Sequence, residues 1–138
     1  MFVLDTNVVS ELRKVRAGKA DRNVAAWAAR VTTASLYLSV ITVLELELGI
    51  RLLERRDSKQ GALMRTWMEG HVMTAFAGRV LPIDTPIAVQ CAQLHVPDPR
   101  AERDALIAAT ALVHGMTIVT RNTADFAPMG VALLDPWI

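Results

Sequence analysis

Met1-Phe2-Val3-Leu4-Asp5-Thr6-Asn7 opens the chain: three apolar residues run into an acid, a hydroxyl and an amide. A strand buried on both faces of a parallel sheet reads as an unbroken apolar run. Open α/β sheets place their chemistry beyond the carboxyl ends of such strands. Asp5 is therefore either the cap of the next helix or an acid facing a cleft, and one side chain can be both.

The same pattern recurs along the chain. Strands are predicted at 2–4, 36–40, 80–83, 117–120 and 131–134. Helices are predicted at 7–14, 23–31 with Asn23 as cap, 41–55, 59–77 and 85–95. A further helix starts at Asp98-Pro99 and runs to about His114, where Gly115 stops it. Strands alternating with helices imply parallel βαβ units. The expected fold is α/β, a three-layer α/β/α sandwich on a central parallel sheet, and residues 1–138 read as one domain.

Composition agrees. The 138 residues are 52% apolar and 21% charged, which suits a packed core and excludes a disordered chain. A domain of this size buries roughly 70% of its unfolded surface without disulfides. The net charge of +1 does not by itself demand a nucleic-acid partner. The single cysteine, Cys91, forbids an internal disulfide and reads as a small buried hydrophobe. No basic region precedes an apolar block at the N-terminus, and no run of ~20 apolar residues occurs. The chain is expected to stay in the cytoplasm, away from membranes.

Three more acids stand in settings like that of Asp5. Glu45 lies in Thr42-Val43-Leu44-Glu45-Leu46-Glu47-Leu48-Gly49 and shares a helix face with Leu48, Gly49 and Leu52. An unpaired acid heading an apolar stripe is costly; the plain alternative is a capping box with Thr42. Gly49 suggests close backbone packing. Glu47 reads as an ordinary partner of Arg51. Asp104 opens Asp104-Ala105-Leu106-Ile107-Ala108-Ala109-Thr110-Ala111, whose small residues allow tight seating on a sheet; alone it is an acid favoured near a helix start. Asp125 follows the strand ending at Thr120, in a turn rich in capping residues. In a doubly wound sheet all four acids fall on one edge. Clustered carboxylates raise one another's pKa, and a hard divalent cation relieves them. Such an ion orients a water, acidifies it and offsets phosphoryl charge.

Four stretches, Phe2–Asn7, Ser39–Ile50, Asp104–Ala111 and Thr120–Phe126, resemble, in order, the motifs of PIN-domain proteins, and most of all VapC-type toxins of bacterial toxin–antitoxin pairs. The resemblance spans nearly the whole chain. It implies a Mg²⁺- or Mn²⁺-dependent endoribonuclease, a homodimer, and a small VapB-like antitoxin whose tail enters the active site. It implies that Asp5, Glu45 and Asp104 are the three core acids, catalytic and metal-binding. For the fourth, Asp125 competes with Asn122; Asp125 is assigned, with Thr6, Asn7, Thr120 and Asn122 as polar support.

An RNA substrate calls for cations near the acids. Arg13, Lys14, Arg16, Lys19 and Arg22 stand against only Glu11 and Asp21, and Arg13, Lys14 and Arg16 are the candidate phosphate contacts; a solvated loop or an antitoxin contact fits equally. Arg51, Arg55 and Arg56 read as a solvated helix end. His71, His95 and His114 are scattered, with no ligand spacing, and are not expected to be catalytic. Trp27 and Trp67 read as core or interface residues, and Trp67, Met68, His71, Val72 and Ala75 form an apolar stripe for a partner. The competing classes are a Mg²⁺-dependent phosphatase, a receiver-like binding domain, and a PIN fold that only binds. The phosphatase type needs Asp-x-Asp after the first strand, where this chain has Asn7. The receiver type needs a lysine after a late strand, where Arg121 stands.

Overall fold

The computed structural model describes residues 1–138. The chain runs β1 (Phe2–Leu4), α1 (Thr6–Leu12), α2 (Arg22–Arg30), β2 (Leu36–Ser39), α3 (Val40–Arg56), α4 (Ser58–Trp67), α5 (Met73–Ala75), β3 (Val80–Leu81), α6 (Thr85–Leu94), α7 (Glu102–His114), β4 (Thr117–Val119), α8 (Thr123–Phe126) and β5 (Leu133–Leu134). The five strands form one sheet in the order β3-β2-β1-β4-β5, every pair parallel.

Successive strand residues point to opposite faces, and each face carries its own core. Val3 and Ile118 join Ile87, Cys91, Ile107, Ala108, Ala111 and Phe126 on one side. Leu4, Leu38 and Val119 join Val8, Val9, Trp27, Leu46, Ile50, Met68 and Val72 on the other. The three-layer expectation holds. The alanines of α7 are fully buried, as the small-residue face of that helix required.

Local details depart from expectation where a neighbouring side chain caps better. Asp21, not Asn23, caps α2, accepting from the Asn23 and Val24 amides; the Asn23 side chain instead donates to the Trp137 carbonyl. Helix α7 begins at Glu102 rather than at Asp98-Pro99, with no side-chain cap. The long helix expected over 59–77 is interrupted by a π-helical turn at Met68–Val72. Gly115 ends α7 at φ +64°, a conformation that glycine adopts without a Cβ clash.

Candidate active site

Strand β1 lies between β2 and β4, so the chain winds away from it in both directions. Such a reversal opens a crevice at the carboxyl edge. Asp5 stands at the end of β1, Thr120 at the end of β4, and Glu45 in the second turn of the helix that leaves β2. Helix α7 runs back against the strands and feeds β4, so its first turn, with Asp104, reaches the same edge.

Asp5 is only 6% exposed, and both of its carboxylate oxygens accept hydrogen bonds. Oδ1 accepts the Thr6 amide at 2.9 Å; Oδ2 accepts the Thr120 hydroxyl at 2.8 Å and the Asn7 side-chain amide at 3.1 Å. Asp5 is thus both the cap of α1 and an acid of the cleft. Asn7 is itself fixed by the Arg121 amide, which donates to its Oδ1 at 3.3 Å. Thr120 also accepts the Asn122 amide at 2.9 Å. Thr6 donates its hydroxyl to Glu45 Oε1 at 2.7 Å, which ties the start of α1 to α3.

The capping-box reading of Glu45 fails. Ser39 caps α3 by accepting the Ile41 amide at 3.0 Å, and buried Thr42 turns its hydroxyl to the Leu4 carbonyl at 3.5 Å. The face that Glu45 shares with Leu48, Gly49 and Leu52 is not packed within the chain: Leu48 and Leu52 are exposed, and a Cβ at Gly49 would meet nothing. The close approach belongs to Gly61 instead.

Burial is the first cause that raises the Asp5 carboxyl above its ordinary value. The Thr120 and Thr6 hydrogen bonds oppose it, and the Glu45 charge adds to it. Asp104 is raised too, first by burial, then by the charges of Asp5, Asp125 and Glu45. Asp104 therefore feels the charges of all three other acids, which stand along the same cleft edge. Asp125 sits in the first turn of α8, while Asn122 precedes that helix without a side-chain cap bond.

The lone basic side chain in ion-pair range of the cluster is Arg103, Nη1 to Glu45 Oε2 at 3.8 Å. Sequence reading missed it, because the contact joins α7 to α3 across the cleft. Carboxylates along one cleft edge with one loose counter-charge offer oxygen donors, the kind a hard divalent cation such as Mg²⁺ or Mn²⁺ takes.

The basic candidates lie elsewhere. Lys14 is held by Glu11 at 3.0 Å. Arg13 and Arg16 line an apolar groove of about 380 Å³ with Val9, Leu12, Trp67 and His71, and none of the four acids is in that lining. The partner stripe splits: Met68 is a core residue, Val72 belongs to the core and to the groove floor, and Trp67, His71 and Ala75 line the groove. No helix is long and apolar enough to cross a membrane.

The family model described as "PIN domain" matches residues 2–130. The chain is 39% identical over 142 aligned residues to the VapC ribonuclease Y4jK of Sinorhizobium fredii, covering 99% of this chain and 98% of that one. It is 37% identical to the toxin FitB of Neisseria gonorrhoeae, covering 99% of each. Among solved structures, FitAcB from Neisseria gonorrhoeae superposes with a TM-score of 0.89 at 37% identity, covering 99% of both chains.

Proposed function

The chain belongs to the PIN-domain family, and on that footing we propose that it is a Mg²⁺- or Mn²⁺-dependent endoribonuclease, the cytoplasmic toxin of a type II toxin–antitoxin pair built as one PIN domain. The observation that carries this is the placing of Asp5, Glu45, Asp104 and Asp125 along one cleft edge, where Asp104 is raised first by burial and then by the charges of Asp5, Asp125 and Glu45.

The four acids are the proposed ligands. A bound ion would acidify a water and offset the charge that develops on the scissile phosphate. The chain supplies the positioning. Thr120, the Thr6 amide and Asn7 fix both oxygens of Asp5, and the Thr6 hydroxyl orients Glu45. Neutral donors fix Asp5 without cancelling a charge, as a lysine or arginine in the same place would, and the one cation near Glu45, Arg103, stands off at 3.8 Å. Water then adds to phosphorus and the bridging ester oxygen leaves, with no covalent enzyme intermediate. Asn7 speaks against the phosphatase alternative, since its side-chain amide is taken up in holding Asp5, Thr120 and the Arg121 backbone. Arg13 and Arg16 are proposed RNA phosphate contacts, with Lys14 a weaker candidate because Glu11 occupies it. The small VapB-like antitoxin is proposed to lay an apolar segment in the groove of Trp67 and His71. A second copy of the chain is proposed to cover the exposed Leu44, Leu48 and Leu52.

Asp5→Asn and Asp104→Asn should each abolish cleavage of a mixed RNA substrate in Mg²⁺ or Mn²⁺ while the circular dichroism stays that of the parent. Full-rate cleavage by either variant sinks the assignment. Binding of Mn²⁺ only to the folded state, at ~100 times its Kd, should stabilise the parent by about 2.7 kcal/mol, and Asp104→Asn should lose that gain.

A further inference from the structure

Outside the acid cluster, a second group of ligand-bearing side chains meets between α6 and the start of α7. Cys91 and His95 are one turn apart, on or just past the end of α6, and Glu102 is the first residue of α7. One ligand atom from each lies within 4.8 Å of the other two. Cys91 Sγ is 3.9 Å from Glu102 Oε1, and His95 Nε2 is 3.1 Å from Glu102 Oε2. We infer that Cys91, His95 and Glu102 form a site for a borderline-soft divalent cation of the Zn²⁺ class, distinct from the hard-cation site of the four acids.

Ligand chemistry separates the two sites. Thiolate and imidazole select Zn²⁺-like ions, whereas all-carboxylate sets suit Mg²⁺ and Mn²⁺. Tetrahedral zinc with its usual bond lengths spaces S, N and O ligands roughly 3.4–3.6 Å apart, and the two distances here straddle that range. Glu102 is 70% exposed and free to bring one oxygen to both partners. Three ligands leave the fourth position to water.

One ligand atom of this group lacks an aligned partner. His95 Nε2 is buried with no hydrogen-bond partner: the Glu102 carboxylate is near but off the ring N–H axis. Cys91 is 4% exposed with its Sγ facing the Glu102 carboxylate, and ligation of a cation there releases the thiol proton. One bond must yield. The Arg100 amide donates to His95 Nδ1 at 3.0 Å. Ligation through Nε2 places the remaining ring proton on Nδ1, so loading opens the Arg100 bond. The bound ion would pin the end of α6 to the first turn of α7, two residues before Asp104. The i, i+4 spacing of Cys91 and His95 is visible in sequence, but the third ligand comes from across a loop.

Cobalt(II) tests this cleanly, because Cys91 is the only cysteine. A thiolate-to-cobalt charge-transfer band from the folded chain can arise only there. The band should saturate at one equivalent, disappear when Zn²⁺ is added, and persist in excess Mg²⁺. His95→Ala and Glu102→Gln should weaken cobalt binding at least tenfold, and Asp104→Asn should leave it unchanged. Loading should also speed exchange of the Arg100 amide. The inference is overturned if millimolar Co²⁺ gives no such band, or if His95→Ala and Glu102→Gln bind cobalt as tightly as the parent. It is equally overturned if the band depends on Asp104.

Discussion

Asp5 and Asp104 are acids kept in surroundings that disfavour their charge. The consequence for stability has a definite sign. Both carboxyls are raised above an ordinary value of 3.8, so without metal the folded chain retains protons that the unfolded chain releases. Their contribution is full below about pH 3.8 and is lost as pH rises through the raised folded values. Glu11, held down first by the Asp21 amide, and Glu47 and Glu54, held down first by Arg65, act oppositely. Their contribution is present above the ordinary glutamate value and fades as pH falls through the lowered ones. A difference between two proteins isolates the cleft. In EDTA at pH 7, Asp104→Asn should melt higher than the parent, and the gap should close on titration down through the carboxylate range. Saturating Mn²⁺ should reverse the order. Equal melting temperatures in EDTA at pH 7 would contradict the repulsion described. The fourth acid can be tested on the same footing: if Asp125 is a ligand, Asp125→Asn should lower cleavage far more than Asn122→Ala does in a single-turnover assay.

Helices α3 and α4 show how an element is held by what its neighbour lacks. Gly61 is buried where α4 crosses α3, and a Cβ there would lie 2.6 Å from the Glu54 Cα. Because the obstacle is backbone, no rotamer change relieves it. Gly61→Ala should therefore cost about 1–3 kcal/mol by urea unfolding, the range for an overpacked contact. Arg65 joins the same pair of helices, reaching Glu47 at 2.6 Å and Glu54 at 2.9 Å. Solvent reaches all three groups, so Arg65→Ala should matter less than Gly61→Ala. Its effect should shrink further in 1 M salt, where screening acts within about 3 Å. The Glu47–Arg51 pair was legible from its i, i+4 spacing, and it forms at 2.8 Å. Arg65 was not legible, since 18 positions separate it from Glu47. The same limit misassigned the glycines: a helical glycine announces that space is wanted, but only the packed neighbour shows whether it is used. Gly61 uses it and Gly49, within one chain, does not.

At the scale of the molecule, α3 leaves an apolar row uncovered: Leu44, Leu48 and Leu52 are 46%, 40% and 56% exposed. The row follows the i, i+4 spacing of one helix face, and apolar area of that kind marks an interface. Leu48→Glu should shift the protein from dimer to monomer in sedimentation velocity at micromolar concentration, with the melting of the monomer little changed. An unchanged sedimentation coefficient would move the self-association surface elsewhere. The sequence by itself determined the architecture. Apolar runs ending in acids specify buried parallel strands, and the alternating period of the helices specifies the layers, because both follow from local backbone geometry and burial. It also nominated Asp5, Glu45, Asp104 and Asp125, each from its place after a strand or at a helix top. Only the tertiary structure decided what each acid touches. Thr120 holds Asp5 from 115 positions away, Thr6 holds Glu45 from 39, and Arg103 answers Glu45 from another helix. Those partners share no periodicity with the residues they hold. They meet because β1 lies between β2 and β4, and that strand order opens the cleft at whose edge they stand.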